Sequence, residues 1–231
     1  MTPTDGVIRE AWGLYKAQWR HFLPISFVVY VGIAIIGALL TAVLTWFGAI
    51  LAALISLVGV FWVQGALATA VEDVRDGRAD FSLGETFNRV RPQLAAILVA
   101  GVLAALGIFL GLLLLIVPGL VLLTWWILII PVVALERTTA GAAFGRSREL
   151  VRGYGWNVFG VIVLTILLLL AFEIVLAIVL SPFADWLRDF LSSVVSGTLT
   201  APFAALVWTL LYFRLRQAKS APEAAPPQTV P

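Results

Sequence analysis

Apolar residues run along this chain in blocks too long for a soluble core, and charge is confined to the gaps between them. Six blocks, at 23–46, 49–71, 93–116, 119–135, 156–180 and 191–212, reach or approach the roughly 20 residues an α-helix needs to cross a bilayer. Only Phe47-Gly48 separates the first two, and only Val117-Pro118 the next two, so both pairs predict tight hairpins with uncharged turns. A single helix of about 45 residues would overshoot the bilayer about twofold.

The gaps carry a second pattern. Ile8, Ala11, Trp12, Tyr15, Trp19 and Phe22 share one helical face while Arg9, Glu10, Lys16 and Arg20 lie largely off it. This predicts an amphipathic surface helix over 7–19, with Asp5 as its N-cap. Ser82-Leu83-Gly84-Glu85 has the form of a capping box, and Phe87, Val90 and Leu94 continue one face after it. A third short helix is predicted over 142–152, with Phe144, Ser147 and Val151 on one face. On the opposite side of the bilayer, Phe183, Trp186, Leu187 and Phe190 predict a short surface helix within 181–190. Each hairpin is preceded by a short amphipathic helix, which suggests one unit of surface helix, span and span used three times. The stretches LYKAQWRHFLPI (14–25) and LVRGYGWNVFGVI (150–162) share that pattern. The expected fold class is all-α: a polytopic membrane bundle of six transmembrane helices over 1–219, followed by a disordered tail over 220–231.

Charge sets the expected threading. Of 15 Lys and Arg residues, only Arg188 falls on the side of the 181–190 segment; the others flank the spans on the opposite side. The positive-inside rule places that cation-rich side, and both termini with it, in the cytoplasm. Composition agrees with a lipid environment: 61% of the 231 residues are hydrophobic and 12% charged, against roughly 25% in a soluble domain. The net charge of +2 gives no reason to expect a nucleic-acid partner. With no Cys and one His, the chain offers no thiolate site, and a His-based metal centre or triad is not expected; no cofactor is expected either.

Candidate chemistry is correspondingly sparse. Glu173 is the one acidic residue inside a predicted span, and an ionisable group in hydrocarbon is a functional candidate by default. Pro131 and Pro202 free the carbonyls of Ile127 and Thr198. Gly107 and Gly111 form a GxxxG that admits a close helix, either within the bundle or in a second copy. The densest cluster lies between the fourth and fifth spans: Arg137, Arg146, Ser147, Arg148, Arg152 and Trp156, interleaved with Gly141, Gly145, Gly153 and Gly155. Guanidinium groups bind phosphate in a fork, and glycines let backbone approach it, so a lipid headgroup or another phosphate is the candidate ligand. The competing explanation is topology alone, with cations held beside anionic lipid.

This stretch resembles the membrane domain attached to some bacterial glycerophosphodiester phosphodiesterases. The resemblance rests on Pro118-Gly119, Pro131, Glu136, Ala142-Ala143, Arg146-Ser147, Leu150-Val151, Gly153 and Trp156, and on the opening AWGLYKAQWRHFLPI. It implies an integral protein of the bacterial inner (cytoplasmic) membrane, akin to stand-alone relatives that lack the catalytic domain. The expected function is a non-catalytic multi-pass membrane protein that scaffolds lipids, anionic ones included, or partner proteins, a further copy of the chain among them. A small transporter component and a membrane enzyme acting on lipid headgroups are the alternatives.

Overall fold

In hydrocarbon no water is available to an unpaired backbone N–H or C=O, so apolar blocks of this length must fold as helices. The computed structural model describes residues 2–75 and 82–220, and among these every element is helical. In chain order they are α1 (Val7–Ala17), α2 (Trp19–Arg75), α3 (Leu83–Val90), α4 (Leu94–Leu114), α5 (Ile116–Trp126), α6 (Ile129–Glu136), α7 (Ala140–Val151), α8 (Gly155–Leu180) and α9 (Asp185–Ser220). A 3-10 turn, Arg91–Gln93, joins α3 to α4. Five runs are long and apolar enough to cross a membrane: α2, α3 with α4, α5 with α6, α8 and α9. The expected tail from 221 onward, and Asp76, Arg78 and Asp80, lie outside the described residues.

The 57-residue α2 is not straight. Thr45 leaves helical geometry, at φ 50° and ψ −126°, and the two arms lie against each other. Gly59 faces Ile33 and Val29, and Gly37 faces Ala52. In an unbroken helix Ile33 and Gly59 would be roughly 39 Å apart. The turn therefore sits at Thr45, not at the expected Phe47-Gly48. Gly48 serves a different need: it rests on the carbonyl of Leu40, where a Cβ would collide.

Three other boundaries move for equally local reasons. The turn between α4 and α5 falls at Leu115, which is extended (φ −156°, ψ 132°), and not at Val117-Pro118. Pro118 instead sits in the first turn of α5, where no N–H is needed. α5 and α6 part at Ile127-Leu128, because Pro131 has no N–H to offer the Ile127 carbonyl. The expected outer helix over 181–190 is not separate, since nothing breaks the helix after Asp185 and it continues as α9 to Ser220. At the N-terminus the cap of α1 is Gly6, in the left-handed region at φ 74°, and not Asp5. The carboxylate of Asp5 accepts instead from Thr2. The capping box at Ser82 and Glu85 forms as read, with both reciprocal hydrogen bonds present.

The short helices interlock the spans. α3 packs on α2, α7 packs on α4, α5 and α6, and α1 packs on α9 and α8. Each therefore lies on the hairpin before it, and the first closes the ring by lying on the last. An edge-to-face aromatic contact marks each junction, and Tyr15 adds a second one to Phe203. Phe87 meets Trp62 at 5.4 Å, Phe144 meets Trp126 at 5.0 Å, and Trp12 meets Phe203 at 6.1 Å. Such pairs contribute about 0.5–1.5 kcal/mol each beyond burial. The preceding residues Ala11, Thr86 and Ala143 are all fully buried, as small side chains must be where helix axes come close.

The core sits at the charged end of the bundle. Val63, Leu67 and Val71, Leu128 and Val132, and Leu206, Leu210 and Tyr212 are buried, each run lying just before charged residues. Towards the other end Val43, Trp46, Leu113, Leu114, Val175 and Ile178 are exposed. α9 is the central shaft: its most apolar stretch is 72% buried, against 0% for that of α2.

Candidate functional site

Backbone carbonyls of the spans help to seat two of the short helices. At the end of α5 the Trp125 carbonyl accepts from the buried Ser147 hydroxyl of α7 at 2.6 Å. In α9 the Leu199 carbonyl accepts from the Tyr15 hydroxyl of α1 at 3.1 Å. At the matching place in α3 stands Val90, which packs into the space left by Gly65 of α2. The carbonyls used are those of Trp125 and Leu199, not those of Ile127 and Thr198 that lose a partner to Pro131 and Pro202.

Around Ser147 the predicted arginine cluster divides. Arg146 turns inward: its Nε donates to both carboxylate oxygens of Glu136 at 3.1 Å, and its Nη1 donates to Glu149 at 3.0 Å. The Tyr212 hydroxyl of α9 donates to Glu136 at 2.9 Å and accepts from Arg216 at 3.3 Å. Partial burial works against the charge on Arg146, but the hydrogen bonds to Glu149 and Glu136 outweigh it and raise its pKa. This network ties α6, α7 and α9 together at the charged end.

Arg148 lies 4.2 Å above the ring of Trp125, a cation–π contact of about 0.5–1 kcal/mol at such a surface. Arg137 is exposed at the end of α6, in the left-handed region at φ 51°. Arg152 is exposed too; its carbonyl accepts from Lys219 at 2.8 Å. Neither guanidinium has an ion-pair partner among the described residues. Trp156 is 86% exposed beside them. Of the six residues singled out, three hold the fold (Arg146, Ser147, Arg148) and three face outward (Arg137, Arg152, Trp156).

Glu173 lies apart from this cluster, on α8, where its carboxylate accepts from the Ser196 hydroxyl of α9. Gly107 and Gly111 are occupied within the chain: Gly107 faces Trp126, and Gly111 faces the backbone of Gly119. Tyr212 and Arg216 were not singled out by the sequence analysis, and Glu136 entered it only among the residues that carry the family resemblance. The available signal was a carboxylate closing an apolar run a few residues before a cation cluster. Among the described residues no three His, Asp or Glu side chains converge as metal ligands. Chemically, the site can clamp three helices together and offer two free guanidiniums to an anion. No protein-family model, no curated protein and no solved structure matches this chain.

Proposed function

We propose that this is a non-catalytic integral membrane protein that crosses the bacterial inner membrane six times. Its cytoplasmic face is then a platform of three short helices that scaffolds lipid, anionic headgroups included, or a partner protein. The observation that carries this reading is the division of the arginines: some are taken up in locking the platform, while Arg137 and Arg152 stand free at its rim. The fold-back of α2 at Thr45 supports two crossings by that helix and hence an even total. The resemblance to the phosphodiesterase-associated membrane domain points the same way. Transport is the second reading and rests on Glu173, whose carboxylate is bonded to Ser196.

The chain has no Cys, so single cysteines test the threading directly. Trp46→Cys, Val117→Cys and Asp189→Cys are expected to react with an impermeant maleimide in intact cells. Thr2→Cys, Gly141→Cys and Ser220→Cys should react only after permeabilisation. If Thr2→Cys and Ser220→Cys lie on opposite sides, α2 crosses once and the six-crossing reading is wrong. For the platform, Arg137→Ala with Arg152→Ala should lower the preference of the protein for phosphatidylglycerol in mixed nanodiscs about tenfold or more, since each basic residue near an anionic surface contributes about 1 kcal/mol. Arg188→Ala should leave it unchanged. Equal losses from both would reduce the cluster to bulk charge.

A further inference from the structure

Two cavities lie along one face of α8 beside α1, and together they form a groove with an inner and an outer part. Its inner part, of about 580 Å³, is closed by Ile8, Trp12 and Tyr15 of α1, Leu168 and Phe172 of α8, and Phe203 of α9, and its lining is almost wholly apolar. Its outer part, of about 640 Å³, is bounded by Asp5, Arg9, Trp156, Asn157, Gly160 and Leu164. Ile8 borders both, so the two parts are neighbours along α1. Both volumes are of the size that small-molecule sites have, roughly 300–1,000 Å³. Glu173 lines neither part, so the groove is separate from the ionisable pair with Ser196.

Length and chemistry identify the occupant. From Trp156 to Phe172 the face of α8 rises about 24 Å. One leaflet, from polar surface to midplane, spans roughly 20–22 Å. The groove therefore runs from headgroup depth to the middle of the bilayer, polar at one end and apolar at the other, as a phospholipid is. At the polar end Arg9 is exposed and has no ion-pair partner among the described residues. The first turn of α1 beside it carries no side-chain cap. Asp5 stands at the same mouth, kept ionised by Thr2, whose hydrogen bonds hold its carboxyl below the usual range. A cation and an anion together complement a zwitterionic headgroup better than a singly anionic one.

From this we infer that the α1–α8 groove is a binding site for one zwitterionic glycerophospholipid of the cytoplasmic leaflet, its phosphate at Arg9, its ammonium at Asp5 and one acyl chain under Trp12. The inference rests on the six-crossing reading for its leaflet. It places the specific lipid against the first short helix, at a mouth lined by Arg9 and Asp5 and not by Arg137 or Arg152.

Gly160 gives the test, because a Cβ added there meets nothing within 4 Å and the helix should fold at least as well. The purified protein is washed in detergent with excess brain-derived phosphatidylethanolamine removed, and bound lipid is counted by native mass spectrometry. Wild type should retain one phosphatidylethanolamine per chain. Gly160→Leu, and independently Leu164→Trp, should lower its occupancy about tenfold or more, a 1.4 kcal/mol loss or greater. Arg9→Ala should also lower it, whereas Arg137→Ala with Arg152→Ala should not. The site is overturned if wild type retains no lipid, or if both groove-filling variants retain it as wild type does. Retention of phosphatidylglycerol alone would overturn the headgroup assignment. Sensitivity to Arg137 and Arg152 but not to Gly160 would move the lipid to the third short helix, sinking the groove while leaving the platform reading intact. The cysteine-labelling pattern stands or falls independently of all these outcomes.

Discussion

Replacing Gly119 with Leu is expected to cost about 3 kcal/mol or more and to remove most monodisperse protein from detergent extracts. The α4–α5 hairpin closes with backbone against backbone. A Cβ on Gly119 would lie 2.5 Å from the Leu112 backbone nitrogen and equally near the Leu112 side chain, while one on Gly111 would lie 3.0 Å from the Gly119 Cα. A flexible side chain can move aside, but a helical backbone cannot. Between helices in lipid, such close approach is itself a main source of association. Gly145→Ala is the matched control: nothing lies within 4 Å of a Cβ there, and Ala in a helix gains roughly 0.5–1 kcal/mol over Gly. The measurement is the temperature at which each variant loses its size-exclusion peak. If Gly119→Leu and Gly145→Ala behave alike, the hairpin is not held by this contact.

Glu136→Ala should be the next most damaging change. It leaves the Arg146 guanidinium and the Tyr212 hydroxyl without their shared acceptor, in a region where the two charged side chains are 32% and 21% exposed. Stranding a fully buried charge costs roughly 3–5 kcal/mol. With partial exposure and solvent screening, about 2 kcal/mol is the expected loss here. That corresponds to a fall of roughly 4–8 °C in the melting temperature for a chain of this size. Glu136→Gln keeps an acceptor and should lose less. A double-mutant cycle with Tyr212→Phe should show coupling of about 0.5 kcal/mol or more between α6 and α9. Strict additivity would mean that Tyr212 and Glu136 are neighbours without being partners.

What was legible in the sequence was whatever is written locally. Apolar runs marked the helices, the cations marked one end of the bundle, and the capping box at Ser82 and Glu85 formed as read. Turn positions were less legible, because an apolar turn between two spans carries none of the usual signals. Thr45, a β-branched residue at positive φ, is a place no propensity would choose. Gly48 looked like the turn and proved to be a contact surface for Leu40. The phosphate reading of the third cluster treated all its arginines alike. Only the fold could separate Arg146 from Arg137, because the partner Glu136 is itself braced by Tyr212, 76 positions away. Likewise Ser147 was assigned to a ligand, whereas it donates to the Trp125 carbonyl at the end of α5.

The closing of the ring by α1 has a consequence for biosynthesis. α3 and α7 each pack on hairpins made before them, but α1 packs on α8 and α9, which are made last. At roughly 5–20 residues per second, the ribosome takes on the order of 10–40 s to deliver that partner. Until then α1 has only α2 to pack on, and Arg214 reaches back to Glu10 and to the Asp5 carbonyl only when α9 is in place.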